Sequence, residues 1–147
     1  MGDAGWGRSG ECRQANEDLP LTFTRHYIDL KPSSDGNNAE QTKERCLKLC
    51  NKYSWCYAAE VVLGTWPECN LITDRPAFEE VFGPRQEYRW GDITTIDGVD
   101  YITYCGGMGC RANDPDANNF DGGSVRPRRD YFCYKKKGTR QIENIKI

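Results

Sequence analysis

Residues 38–74 read NAEQTKERCLKLCNKYSWCYAAEVVLGTWPECNLITD, and this stretch decides the fold. Cys46 and Cys50 lie four residues apart in a segment with helical character, so both thiols leave one face of the helix. Cys56 and Cys69 follow in segments rich in strand-forming residues, where they can meet that face. The pattern predicts a helix that disulfides tie to a sheet.

The helix of this stretch has a defined start and an inward face. Asn38 has the character of an N-cap and Gln41 follows three residues later, so the helix should run from Ala39 to Lys52. The positions that the helical period turns inward are Ala39, Cys46, Leu49, Cys50 and Tyr53.

Strand-forming residues mark the other elements. Residues 55–63 and 68–72 predict two strands joined by the GTWP turn, and Asp74 with Pro76 predicts the start of a short second helix. Residues 1–20 are polar and predict an irregular lead-in anchored at Cys12. Further strands are predicted at 21–30, 86–90, 101–105 and 130–135, and a Gly, Asn and Asp loop at 106–124.

The composition fits one cross-linked domain. The chain has 147 residues, of which 37% are hydrophobic, enough for a single domain with a modest core. Its eight cysteines predict disulfides and therefore an oxidising, extracellular compartment. Met1–Glu11 lacks the apolar segment of a signal peptide, so we expect a mature segment of a larger secreted protein, with a cytosolic protein as the alternative. No apolar run approaches the roughly 18 residues that cross a bilayer.

Charge is distributed unevenly along the chain. The formal charge is −2, but residues 126–147 contain eight Lys or Arg and two acidic residues, which places +6 at this end and −8 on residues 1–125. A basic end can attract sulfated polyanions or acidic proteins, or it can be a solvated strand and tail. The acidic remainder argues against nucleic acid. The cluster considered for binding consists of Arg126, Arg128, Arg129, Lys135, Lys136 and Lys137.

The cysteine block resembles the PAN/apple family. The helix cysteines Cys46 and Cys50, the segment WCYAAEVV around Cys56 and the segment ECNLITD around Cys69 look like that family's central block. The resemblance implies an α+β fold in which a curved antiparallel sheet packs on one main helix. It also implies a recognition module rather than an enzyme, because the family's members bind proteins, glycans or polyanions and share no catalytic chemistry.

The resemblance also implies domain limits and a disulfide pairing that spacing alone leaves open. Residues 1–138 would form one domain with an insertion between Cys69 and Cys133, and residues 139–147 a tail or linker. The pairs carried over position by position are Cys12–Cys133, Cys46–Cys69 and Cys50–Cys56, and Cys105–Cys110 remains in CGGMGC.

Zinc and catalytic chemistry have less support in the residues. Cys46 and Cys50 have an acceptable zinc spacing, but the chain has no paired CxxC array and a single histidine, His26. His26 lies in a predicted strand without a nucleophile motif nearby, so we expect a packed or surface histidine.

The segment DPDANNFDGG offers the hard oxygen ligands that calcium prefers. Counted as an EF-hand loop from Asp114, it places Asn119 where Gly belongs and Val125 where a bidentate Glu is expected. We therefore expect at most a weak calcium site, with an Asx-rich turn as the alternative. The candidate ligands are Asp114, Asp116, Asn118 and Asp121.

Aromatic residues make up 12% of the chain and can stack on sugar rings or anchor protein interfaces. Trp66, in the GTWP turn, is the candidate for an exposed contact because turn residues lie at the surface. The sequence as a whole predicts a secreted or cell-surface adhesion module that binds a glycan or protein, uses no cofactor and does not insert into a membrane. The alternatives are a secreted disulfide-rich effector or inhibitor and a hydrolase that uses His26.

Overall fold

A computed structural model describes residues 7–13, 19–26, 39–63, 67–85, 88–105, 124–126 and 128–136 of the chain. These residues form nine strands and two helices. In chain order they are β1 Gly7–Ser9, β2 Glu11–Arg13, β3 Leu21–His26, α1 Ala39–Lys52, β4 Ala58–Val62, β5 Glu68–Thr73, α2 Arg75–Phe82, β6 Ile93–Ile96, β7 Val99–Tyr104, β8 Ser124–Arg126 and β9 Tyr131–Lys135.

Seven of the strands form one antiparallel sheet in the order β1-β9-β4-β5-β3-β7-β6. The remaining two, β2 and β8, pair with each other as a separate antiparallel ribbon, which we call the covering ribbon. The fold is thus a small disulfide-rich α+β fold, as the sequence predicts at that level.

The main helix packs against the centre of the sheet through one row of side chains. Thr42, Cys46 and Cys50 are buried along an i, i+4 row of α1, and Leu47 is buried beside it. Leu49, predicted to point inward, is only partly buried against the core. The cysteine positions predict which row of the helix points to the sheet. Whether Leu47 or Leu49 is buried beside that row depends on the rotation of the helix about its axis.

The second helix begins and ends with local signals. Asp74 caps it, since its Oδ1 accepts a hydrogen bond from Ala77 N at 3.0 Å, and it ends at Gly83, whose φ of 90° suits glycine. Phe78 of this helix packs its ring 4.6 Å from that of Phe23 and 5.3 Å from that of Trp55. These rings close one end of the main core.

Three disulfides lie within the described residues: Cys12–Cys133, Cys46–Cys69 and Cys50–Cys56. They are the pairs that the family resemblance implies. Cys105 is also disulfide-bonded, and Cys110, the partner proposed for it, lies outside the described residues.

Three sequence predictions of secondary structure are wrong. The lead-in is not irregular where the structure describes it, because residues 7–9 and 11–13 are strands. A strand is predicted at 86–90, but residues 88–90 form no strand, and a strand lies instead at 93–96. Residues 124–126, predicted partly as loop, form β8. β1, β2 and β8 each depend on a partner that is distant along the chain, whereas β6 pairs with the adjacent β7.

The strand at 93–96 owes its pairing to a tight hairpin. Asp97 and Gly98, with φ of 52° and 78°, are the two loop residues between Ile96 and its partner Val99. Positive φ at both positions is the geometry of the Asp-Gly turn, whose twist matches that of the strands.

None of the helices among the described residues is long and apolar enough to cross a membrane.

Candidate functional site

The two faces of the sheet differ in chemistry. Because side chains alternate along a strand, Phe23, Leu71 and Val61 point to the face covered by α1, which we call the helix face. The next residues along the same three strands, Thr24, Asn70 and Glu60, lie on the opposite face. We call this second face the polar face.

The polar face carries a concave pocket of about 330 Å³. This volume is near the lower end of the range typical of small-ligand sites. Its floor consists of polar side chains from the three central strands, namely Thr22, Thr24, Glu60, Glu68 and Asn70. We call it the polar-face pocket.

A chain of hydrogen bonds crosses the floor of the pocket. Thr24 Oγ1 donates to Asn70 Oδ1 at 2.7 Å, and Asn70 Nδ2 donates to Glu60 Oε1, also at 2.7 Å. The other carboxylate oxygen of Glu60 accepts from Cys12 N at 2.8 Å. The floor network is therefore Thr24, Asn70 and Glu60, and it connects the sheet to the covering ribbon.

Glu60 is an ionisable group in an unusual position, with only 5% of its surface exposed. Burial raises its pKa to about 7, although the hydrogen bonds from Asn70 and Cys12 favour the charged form and act in the opposite direction. Glu60 therefore changes its charge close to neutral pH.

One wall of the pocket is an ion-pair cluster from the covering ribbon and the turn before β9. Glu11 accepts from Arg13 at 2.6 Å with one carboxylate oxygen and from Arg128 with the other. Burial works to raise the pKa of Glu11, but the hydrogen bonds and charges of the two guanidinium groups outweigh it and lower the pKa. Glu11 is thus held as a carboxylate that neutralises both arginines in part.

The opposite wall is aromatic. Trp90 is 64% exposed, and its ring lies 4.8 Å from that of Tyr104 with the planes at 70°, an edge-to-face arrangement. Across the pocket, the Arg128 guanidinium lies 4.0 Å from the ring centre of Tyr131. The pocket thus presents an indole held in place by a neighbouring ring, beside polar groups that are already hydrogen-bonded.

The covering ribbon reaches the polar face through a disulfide. Cys133 of β9 points to this face, and its bond to Cys12 holds β2 over a small apolar cluster with Ala58 and Ile72. The same strand supplies Glu11 and the Cys12 N–H group that bonds Glu60. The ribbon is therefore both a cover and a wall of the site.

The structure places the predicted basic cluster in several environments. Arg128 belongs to the pocket wall, whereas the side chain of Arg129 is 95% exposed and lies 3.9 Å from Asp130. Lys136 is only 7% exposed, and its Nζ donates to Tyr53 O at 3.0 Å. Lys135 is half-buried in β9. These cations do not form one continuous exposed patch on the described part of the chain.

Other candidate residues are placed in part. His26 ends β3, and its Nδ1 lies 3.4 Å from Glu68 Oε2. Arg126 lies in β8. Trp66, Lys137 and the calcium candidates Asp114, Asp116, Asn118 and Asp121 lie outside the described residues. Within the described ranges, no group of three or more His, Cys, Asp or Glu residues is arranged to hold a metal ion.

No protein-family model, curated protein or solved structure matches the chain.

Sequence reasoning missed the polar-face pocket. Its floor residues are each ordinary strand residues, and only the register of three strands brings them together. The sequence predicts a strand at 86–90 that includes Trp90 and favours Trp66 as the exposed aromatic contact. The polar alternation of LTFT, AAEVV and ECNLI is the signal that could have indicated a hydrophilic sheet face.

Proposed function

We propose that the chain is a secreted or cell-surface recognition module of the PAN/apple type, which binds a glycan or protein ligand in the polar-face pocket. The observation that carries the proposal is the pocket itself, a concave site with an exposed indole beside buried, hydrogen-bonded polar groups. Ligand sites combine an apolar contact surface with a few fixed polar groups in this way. The disulfides fit an extracellular protein, because such bonds persist in oxidising compartments.

Recognition fits this site better than catalysis by His26. The imidazole lies at the end of β3 beside the carboxylate of Glu68, and His26 does not line the pocket. The floor network, in contrast, joins three strands of the sheet to the covering ribbon through hydrogen bonds. A preformed polar surface of this kind loses little conformational entropy when a ligand binds.

The test uses the full chain and a pair of matched surface variants. Trp90→Ala removes the exposed indole of the pocket, and Ile93→Ala removes another exposed apolar side chain, 57% exposed, that does not line the pocket. Both variants and the wild type are applied to an array of immobilised glycans and to a panel of deglycosylated extracellular proteins. We expect the wild type and Ile93→Ala to bind alike, and Trp90→Ala to bind at least about tenfold more weakly.

Binding that is equal in all three proteins would show that the pocket is not the recognition site. Hydrolysis of a bound glycan that is abolished in His26→Ala would instead support the hydrolase alternative.

A second candidate site is the exposed basic surface around Arg129, which could contact sulfated polyanions. Its support is the high exposure of that side chain, and it involves fewer cations than the sequence predicts because Arg128 and Lys136 have partners within the fold.

A further inference from the structure

The charged side chains of the polar-face pocket are already compensated. Glu11 is paired with Arg13 and Arg128, and Glu68 Oε1 accepts a hydrogen bond from Asn70 Nδ2 at 3.4 Å. Both carboxylate oxygens of Glu60 accept hydrogen bonds, and burial favours its neutral form near pH 7. A charged ligand would have to compete with these pairs and lose its own hydration, which is costly in a partly buried site.

The floor of the pocket nevertheless has unused hydrogen-bonding capacity. Thr24 Oγ1 and Asn70 Oδ1 can each accept a further bond, because a hydroxyl or amide oxygen accepts two, whereas Asn70 Nδ2 already donates to Glu60 Oε1 at 2.7 Å and to Glu68 Oε1 at 3.4 Å. Thr22 Oγ1 donates to Pro20 O at 2.8 Å and keeps its acceptor positions. The hydroxyl groups of a ligand can donate to these acceptor positions without bringing a charge.

The aromatic wall supplies the complementary apolar surface. Tryptophan is highly buried on average, yet Trp90, which lines the pocket, is 64% exposed. The Tyr104 ring contacts the Trp90 indole edge-to-face, and both side chains line the pocket. The C–H face of a sugar ring is the part of a hydroxylated ligand that can stack on such an indole.

We infer that the polar-face pocket binds an uncharged sugar ring, which stacks on Trp90 and whose hydroxyl groups bond to Thr24 and Asn70. The inference rests on the proposed function and narrows its ligand class. It also separates the pocket from the basic surface at Arg129, since a sulfated or sialylated sugar would bring negative charge beside Glu68 and would have to compete with Glu11 for Arg13 and Arg128.

The test compares sugars that differ only in charge. The full chain is applied to immobilised glycans that share the same neutral cores and carry or lack sialic acid or sulfate. We expect neutral glycans to bind, with binding at least tenfold weaker in Trp90→Ala, within about threefold of wild type in Trp90→Phe, and unchanged in Ile93→Ala. Thr24→Val, which keeps the side-chain shape and removes the hydroxyl, should weaken binding about three- to tenfold. Thermal melting of each variant confirms that it is folded.

The outcomes separate the two proposals. If acidic glycans or deglycosylated proteins bind as well as or better than the neutral glycans and depend on Trp90, recognition by the pocket stands and the sugar class is wrong. If no glycan or protein binds in a Trp90-dependent manner, both proposals fail. If neutral glycans bind but Trp90→Phe loses as much as Trp90→Ala while Thr24→Val has no effect, the stacking and hydrogen-bonding account is wrong.

Discussion

The helix face and the polar face of the sheet are built from the same strands but have opposite contents. On β3, Phe23 is buried among aromatic rings and helps to hold α2, whereas its neighbour Thr24 is buried in a hydrogen-bond network. Apolar burial is favourable in itself, but a buried polar network gives little net stability compared with well-packed apolar residues. The comparison teaches that apolar packing on the helix face contributes more stability than the hydrogen-bond network of the polar face, which therefore needs a reason other than stability.

The largest expected effect breaks the helix face. Phe23→Ala removes a fully buried ring that contacts Trp55 and Phe78, and we expect the free energy of unfolding to fall by about 3 to 5 kcal/mol. Thr24→Val, one residue away on the polar face, should cost less, about 1 to 3 kcal/mol, because it removes the donor to the buried Asn70 Oδ1. Denaturant titration of both variants measures the two values. Similar losses in the two variants would show that the faces do not divide stability in this way.

The next effect compares disulfides on the two faces. Replacing either Cys46–Cys69 or Cys12–Cys133 by alanine pairs should reduce the free energy of unfolding by about 2 to 4 kcal/mol, with the larger loss for the bond that spans 121 residues rather than 23. Only the loss of Cys12–Cys133 should also weaken glycan binding, because that bond holds the covering ribbon that walls the pocket.

Glycan binding by the alanine variants at a temperature where both are folded provides the measurement. Equal weakening of binding in the two variants would contradict a specific role for the covering ribbon.

The two faces also differ in how far the sequence predicts them. The cysteine spacing and Asp74 predict α1, β4, β5 and the start of α2, since these features depend on neighbours along the chain. The pocket depends on Thr24 lying beside Asn70, 46 residues away, and this register is set by tertiary pairing. The Asp97–Gly98 turn was a readable hairpin signal that the sequence interpretation did not use.

A smaller effect sharpens the comparison through pH. The pKa of Glu60 is raised from its ordinary value of 4.5 to about 7, mainly by burial, so the folded protein binds a proton more tightly than the unfolded chain does. The stabilisation that this tighter proton binding provides is complete below about pH 4.5 and is lost as the pH rises through about 7. We expect the wild-type free energy of unfolding to decline by about 2 to 3 kcal/mol between pH 5 and pH 8 relative to Glu60→Gln.

The measurement is denaturant unfolding of both proteins across that pH range. The titration of Glu11 does not interfere with this measurement. The pKa of Glu11 is lowered, so its contribution to stability is lost only at more acidic pH, below the ordinary pKa range of a glutamate. Parallel stability curves for wild type and Glu60→Gln would contradict the assignment of this titration to Glu60.

The smallest effect concerns the exposed basic surface. Arg129→Ser should leave stability within about 0.5 kcal/mol, because the side chain is 95% exposed, and should only slightly lower the salt concentration that elutes the protein from a heparin column. Lys136→Ser should instead destabilise the protein, since the ammonium bonds Tyr53 O in a buried position. A large drop in heparin retention for Arg129→Ser would assign polyanion binding to this surface.

The most direct test of the division between the faces uses two indole N–H signals in the proton–nitrogen NMR spectrum. Trp90 lines the pocket, whereas Trp55 is 2% exposed in the helix-face core, and Trp→Phe variants identify each signal. The probes are the methyl glycosides of glucose, galactose, mannose and N-acetylglucosamine, added up to millimolar concentration. The account predicts that at least one probe shifts the Trp90 signal in a saturable manner and leaves that of Trp55 unchanged. Equal shifts of the two signals, or no saturable shift of the Trp90 signal with any probe, would contradict it.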